Sequence, residues 1–302
     1  TTVNRIPLRV VDPFQTSRKP MRSALVVNGR PHPHEQGDLP VPWWSFTKTV
    51  LATTALSLVR DRFIGLDDLV FDQPYTLRQL LRHEAGLADY GELGEYHRAV
   101  ANGESAWSAD EMLKRLDGAR LRYTPGAGWR YSNVGYLLIG RLIERLTDLT
   151  LEDAVNQRVL APLGLSNVRF ARTRADLKTN HGVDTLNYDP AWVYHGLLIG
   201  PVSQAALFLD RLFCADLLSA GLLTEMRGAR TLGGPIPGRP WIAPSYGLGL
   251  MQGTLEGGFA LSGHTGCGPG SAIAVYWVCD GEVSASGAAF PVRGREGDVR
   301  AT

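Results

Sequence analysis

Strand-forming sequence lies at both ends of this 302-residue chain and helix-forming sequence lies between them, which leaves few folds open. Near the start, residues 7–11 and 24–28 carry short β-branched runs, and Asn28-Gly29 is a turn signal of the hairpin kind. Near the end, residues 271–279 and 282–290 read as strands joined by Asp280-Gly281. The middle has helical periodicity and start signals. Apolar residues from Phe46 through Val50, Leu51, Leu58 and Val59 to Phe63 predict a largely buried helix over residues 45–63, stopped by Gly65. Thr76 precedes Leu77, Leu80 and Leu81; Ser108 and Glu111 form a capping-box pattern; Thr150 opens a helix that Pro162 and Gly164 close. Residues 202–213 continue the helical pattern, and residues 182–199 read as irregular. The expected fold is α/β of the α+β type: a mainly antiparallel sheet flanked by helices and assembled from both chain ends, with a mostly helical region inserted. The boundaries that follow are residues 1–75 and 230–302 for the sheet region and 76–229 for the helical one, with the active site at their interface.

With a formal net charge of only +1, nothing in the composition points to nucleic acid. Cys214, Cys267 and Cys279 form neither a disulfide framework nor a Cys-x-x-Cys metal motif, so they read as free thiols. No stretch has the length of a transmembrane helix, and the first residues lack a charged-then-apolar leader pattern. Lysine is scarce: Lys19, Lys48, Lys114 and Lys178 are the full set, so a lysine inside a motif carries weight.

Ser45 and Lys48 stand three residues apart at a helix start, on one helical face. Serine becomes a nucleophile when a neighbour takes its proton, and a desolvated lysine is such a neighbour. About 0.2 Ser-x-x-Lys matches are expected by chance in this composition, so a cap serine beside a solvated lysine stays open on that motif alone. Tyr131-Ser132-Asn133 opens a second helix; a tyrosine there could shuttle a proton and the Asn amide could hold Lys48 and a substrate carbonyl, or the segment is a capped helix start with a packed tyrosine. The glycine-rich run 263–270 holds His264, Thr265, Gly266 and Cys267 ahead of the predicted strand at Ser271. It reads either as a backbone surface for substrate or as a tight turn with a surface histidine.

In that order, Ser45-x-x-Lys48, Tyr131-x-Asn133 and His264-Thr265-Gly266 resemble the three active-site motifs of the serine β-lactamase and penicillin-binding family, with its class C β-lactamases, D-alanyl carboxypeptidases and esterases. Leu66-Asp67-Asp68, the run 80–87, Pro125-Gly126, Pro162-Leu163-Gly164-Leu165 and Tyr246-Gly247-Leu248-Gly249 are similar too, so the resemblance spans residues 24–290. It implies Ser45 as nucleophile, Lys48 and Tyr131 sharing acid–base work, and Asn133 positioning Lys48 and substrate. His264 and Thr265 would line the substrate strand, and the backbone N–H groups of Ser45 and Cys267 would form the oxyanion hole. It also implies a small or peptide-like acyl substrate, no metal or organic cofactor, and members that are often exported. A non-turnover protein acylated by penicillins at the same serine is the alternative.

The departures matter as much. His264 stands where most β-lactamases have lysine, which predicts weaker carboxylate recognition and a preference for esters or D-configured acyl donors; Arg293 is offered as a substitute carboxylate anchor. Glu84 replaces a small polar residue at the pocket entrance. No serine sits in a Gly-x-Ser-x-Gly frame, which sets aside an α/β-hydrolase. Leu87 breaks His-Glu-x-x-His after His83-Glu84, which sets aside a zinc peptidase.

Overall fold

The computed structural model describes residues 21–32, 39–178, 187–235 and 241–291. The strand expected over residues 7–11, and Arg293, lie outside them. Strand β1 (Met21–Val27) turns through Asn28-Gly29, both at positive φ, into the short β2 (Arg30–Pro31), so the N-terminal hairpin forms where its turn chemistry placed it. Next come β3 (Pro40–Pro42) and helices α1 (Thr47–Arg60), α2 (Leu77–Leu81), α3 (Gly94–Ala101), α4 (Ala109–Arg115), α5 (Asn133–Thr147) and α6 (Leu151–Val155). Strands β4 (Arg169–Phe170) and β5 (Leu198–Pro201), then helices α7 (Val202–Cys214) and α8 (Ala220–Arg227), lead to β6 (Arg230–Thr231), β7 (Trp241–Tyr246), β8 (Met251–Leu255), β9 (Ala260–Gly268), β10 (Ser271–Asp280) and β11 (Val283–Pro291).

The main sheet runs β2-β1-β11-β10-β9-β8-β7-β6, antiparallel at each pairing, with Met21 opposite Pro291. Both ends of the described chain therefore meet in its interior, as the distribution of strand signals predicts. Helix α7 packs on β1 and β11, and Ser286 Oγ donates to the Ala206 carbonyl across that contact at 2.8 Å.

Helix α1 is buried on every side from Thr47 to Leu58, although Thr47, Lys48, Thr49, Thr53, Thr54 and Ser57 are polar. Their burial is tolerated because Thr53 and Thr54 donate to the carbonyls of Thr49 and Val50 one turn back, and Thr49 donates to Gly249 at 2.8 Å.

Three expectations need correction. Helix α1 stops at Arg60, with Arg62 in a left-handed conformation, so Gly65 is not its terminator and Phe63 is 56% exposed. The stretch taken as irregular, residues 182–199, ends inside β5, which joins β3 and β4 in a second sheet; the four residues of β5 are all buried, so no alternation marks it as a strand. The last hairpin pairs Asp280 with Val283, making Gly281-Glu282 the two-residue loop, with Gly281 supplying positive φ at its first position. Among the described residues no cysteine is in a disulfide, and no helix is long and apolar enough to cross a membrane.

Candidate active site

Ser45 lies in a single 3-10 turn, Trp44–Phe46, that delivers the chain into α1, and Lys48 is in the helix's first turn. The turn holds Trp44 at φ 45, a backbone state that costs a non-glycine residue about 1–3 kcal/mol. Packing supplies the restraint: the Trp44 indole N–H donates to Ser271 Oγ at 2.9 Å and its ring meets Tyr188 edge-on at 5.5 Å. The outcome is a partly exposed serine beside a fully buried lysine.

Lys48 Nζ has three hydrogen-bond partners: Ser45 Oγ at 3.2 Å, Asn133 Oδ1 at 2.7 Å and His195 Nε2 at 3.2 Å. The Tyr131 and Tyr136 rings close over it, with centroids at 5.0 and 5.7 Å. Burial brings its pKa from 10.5 down to about 7, against the pull of Asp89 and Cys267. A substantial fraction of neutral amine is thus present at physiological pH, next to the serine hydroxyl.

Helix α5 brings Tyr131 and Asn133. Ser132, not Asn133, is its cap: Ser132 Oγ accepts from Gly135 N–H at 3.2 Å and donates to the Ala88 carbonyl at 2.7 Å. Asp89, which no motif marked, fixes the Asn133 amide. Its Oδ1 accepts the Asn133 backbone N–H at 2.8 Å and its Oδ2 accepts Nδ2 at 3.2 Å, so Oδ1 of Asn133 is turned toward Lys48. Burial pushes the Asp89 carboxyl above the usual range, while the Asn133 donors and the Lys48 charge draw it back.

Tyr131 hydrogen-bonds Ser45 and is hemmed in by the His83 ring at 4.4 Å and by Tyr246 and His264; burial pushes its pKa far above 10, so it acts as a neutral O–H group. His83 is a packing residue of this wall, its Nδ1 accepting Ser132 N–H at 3.2 Å. Glu84 is paired with Arg230 at 3.1 Å.

The glycine-rich run is not a turn: β9 continues to Gly268 and only Pro269-Gly270 turns the chain. His264 is fully buried, so the surface-histidine reading is overturned. Its Nδ1–H donates to the Thr265 carbonyl at 2.5 Å and its Nε2 accepts from the Tyr246 hydroxyl at 3.0 Å, the tautomer assigned from this network. Burial and the Lys48 charge lower its pKa to about 3, leaving it neutral. The Thr265 hydroxyl donates to Met251 Sδ at 3.3 Å.

Pairing of β8 with β9 ends at Met251–Gly263, leaving β9 beyond that point with β10 as its sheet partner and the Ser45 turn against it. Gly266 permits this approach: a Cβ there would stand 2.5 Å from the Trp43 carbonyl and 2.7 Å from Ser45 N. The backbone N–H of Ser45 and the chain at Gly266-Cys267 are thereby held side by side. Gly266→Ala is expected to cost about 1–3 kcal/mol in a urea melt. Gly287→Ala, where the added Cβ meets nothing within 4 Å, is the control and is expected to leave the midpoint unchanged or slightly raised. Among the described residues, no group of three His, Cys, Asp or Glu side chains is placed to hold a metal ion.

The Beta-lactamase family model matches residues 14–286. The chain belongs to the beta-lactamase family. This beta-lactamase family protein is 27% identical over 226 residues to a D-aminopeptidase of Brucella anthropi, covering 73% of the chain and 43% of the relative. It is 32% identical over 146 residues to the esterase EstB of Burkholderia gladioli, covering 42% of the chain and 37% of the relative. The chain thus spans less than half the length of these curated relatives. Among solved structures, a D-stereospecific amidohydrolase from Streptomyces sp. superposes with a TM-score of 0.70 at 25% identity, covering 90% of this chain and 89% of that one.

Proposed function

We propose that the protein is a serine hydrolase that forms an acyl-enzyme at Ser45 and prefers ester or D-configured amide donors lacking a carboxylate beside the scissile bond. The carrying observation is the Ser45 Oγ to Lys48 Nζ distance of 3.2 Å, with the lysine wholly buried. Lys48 as the neutral amine takes the Ser45 proton while Oγ attacks the acyl carbon. The N–H groups of Ser45 and Cys267 face the oxyanion. Tyr131, as a neutral phenol between Ser45 and the leaving group, hands a proton outward and is replenished from Lys48. The departing alcohol or amine leaves with that proton, and water, activated by the same pair, hydrolyses the ester on Ser45.

The substrate preference rests on His264. A lysine at that position would offer a fixed charge; this histidine is buried, neutral and occupied on both nitrogens. A cavity of about 520 Å³ opens beside Tyr246, walled by Trp129, Leu232, Trp241 and Met251, and its Arg230 is already answered by Glu84. Such walls suit an apolar substituent. Relatives named D-aminopeptidase, esterase and D-stereospecific amidohydrolase support the same range.

Steady turnover of a neutral short-chain ester or a D-amino-acid amide, with kcat/KM above that of a carboxylate-bearing cephalosporin, is expected, and His264→Lys is expected to move the ratio toward the cephalosporin. A single burst without turnover on every donor would mean a penicillin-binding sensor. A cephalosporin preferred by the wild type would remove the substrate reading.

A further inference from the structure

We propose that His195 is a positioning residue that aims the Lys48 amine at Ser45, by accepting one of the lysine's N–H bonds at Nε2. The inference rests on the acyl-enzyme reading above. A neutral amine has two N–H bonds and one lone pair. For the lone pair to point at the serine hydroxyl, both N–H bonds need acceptors elsewhere. Asn133 Oδ1 at 2.7 Å is one and His195 Nε2 at 3.2 Å is the other. When the serine proton arrives, the ammonium has three N–H bonds, and the same three neighbours, now including the ester oxygen on Ser45, accept them. One set of partners therefore serves both protonation states without movement.

His195 comes from the segment just before β5 and is 2% exposed. Nε2 can accept only if the ring proton is on Nδ1, and Nδ1 is buried without a partner among the described residues. The opposite tautomer would direct Nε2–H at the lysine lone pair and disable it as a base. Burial, reinforced by the charge of Lys48, holds the His195 ring neutral, which keeps the acceptor available. The ring stands against Lys48, so it is placed to orient the base. The other titratable groups facing Lys48 are Asp89, Cys267, Tyr131, Tyr136, His83 and His264.

The test compares wild type with His195→Gln, His195→Asn and His195→Leu, reading the rate at which a neutral nitrophenyl ester acylates the enzyme, its pH profile, and the labelled peptide. Gln carries an amide oxygen as far out as Nε2; Asn falls short by one methylene. The Gln variant is expected to keep the rate within about fivefold, and the Leu and Asn variants to lose roughly 10–100-fold. The acidic limb of the Leu and Asn profiles is expected to move to lower pH, because an ammonium that has lost an acceptor gives up its proton more readily. If circular dichroism shows that Leu fails to fold, the Gln–Asn contrast decides. Wild-type rates in Leu and Asn, or a Gln variant as slow as they are, would overturn the inference and leave the acyl-enzyme reading standing. Acylation of wild type at a residue other than Ser45 would overturn both.

Discussion

Ser45→Ala is expected to abolish turnover, with a loss on the order of 10⁴-fold or more, and to leave the fold intact. The fold is spared because Ser45 is only partly buried and its hydroxyl serves no cap; the turn is held by Trp44 and by the Phe46 N–H to Trp43 carbonyl bond at 2.9 Å. Activity is lost because the other hydroxyls nearby have structural partners. Ser132 bridges Ala88 and Gly135, and the Thr47 hydroxyl accepts the Leu198 N–H at 3.1 Å. In the wild type, a serine-directed phosphonate is expected to add its mass to the peptide containing Ser45 and to no other. Labelling of a different serine, or a Ser45→Ala protein with full rate, would falsify the proposed chemistry at its root.

Lys48→Met carries the second large effect, on activity and on the pH dependence of stability together. Removing the proposed base is expected to slow acylation by about 10²–10⁴-fold. Wild-type activity is expected to fall tenfold per pH unit below about 7, as the amine takes up its proton. For stability, the unfolded chain holds the Lys48 proton up to about 10.5 and the folded chain only to about 7, so between those values the unfolded state binds more protons. Folding stability contributed by this group therefore rises with pH across that window and is flat below it. Each unit of displaced titration is worth about 1.4 kcal/mol. Urea melts at pH 7 and pH 10 are expected to show the wild type gaining a few kcal/mol relative to Lys48→Met. Parallel curves for the two proteins would show that the lysine is not held neutral by burial.

Ser45, Lys48, Tyr131 and Asn133 could be picked out from the sequence because each pair sits within one turn at a helix start, where spacing along the chain translates directly into spacing in space. Asp89 and His195 could not. Each meets its partner through tertiary packing alone, His195 reaching Lys48 across 147 positions, and no periodicity encodes such a contact. The register of β9 was hidden for a different reason: Gly263, Gly266 and Gly268 read as a turn, whereas the structure uses Gly266 and Gly268 to let a strand lie against Trp43, Trp44 and Ser45. The sheet as a whole was visible from its ends, since hairpin turns are local; β5, wholly buried and four residues long, carried no such mark.

The pairing of Met21 with Pro291 sets the order in which this molecule can be made. Strand β1 leaves the ribosome while its long partner β11 is still untranslated, and it waits for every element that lies between them. Contacts so distant in sequence carry a large loop-closure cost before they return anything, so the closing step is expected to be slow and late. Until then β1 has a hairpin partner of only two residues and an unsatisfied edge, the kind of surface that seeds aggregation in a nascent chain. A circular permutant that joins β1 directly to β11 through a short loop would turn the most distant pairing into a local one, and refolding from urea is expected to speed up accordingly.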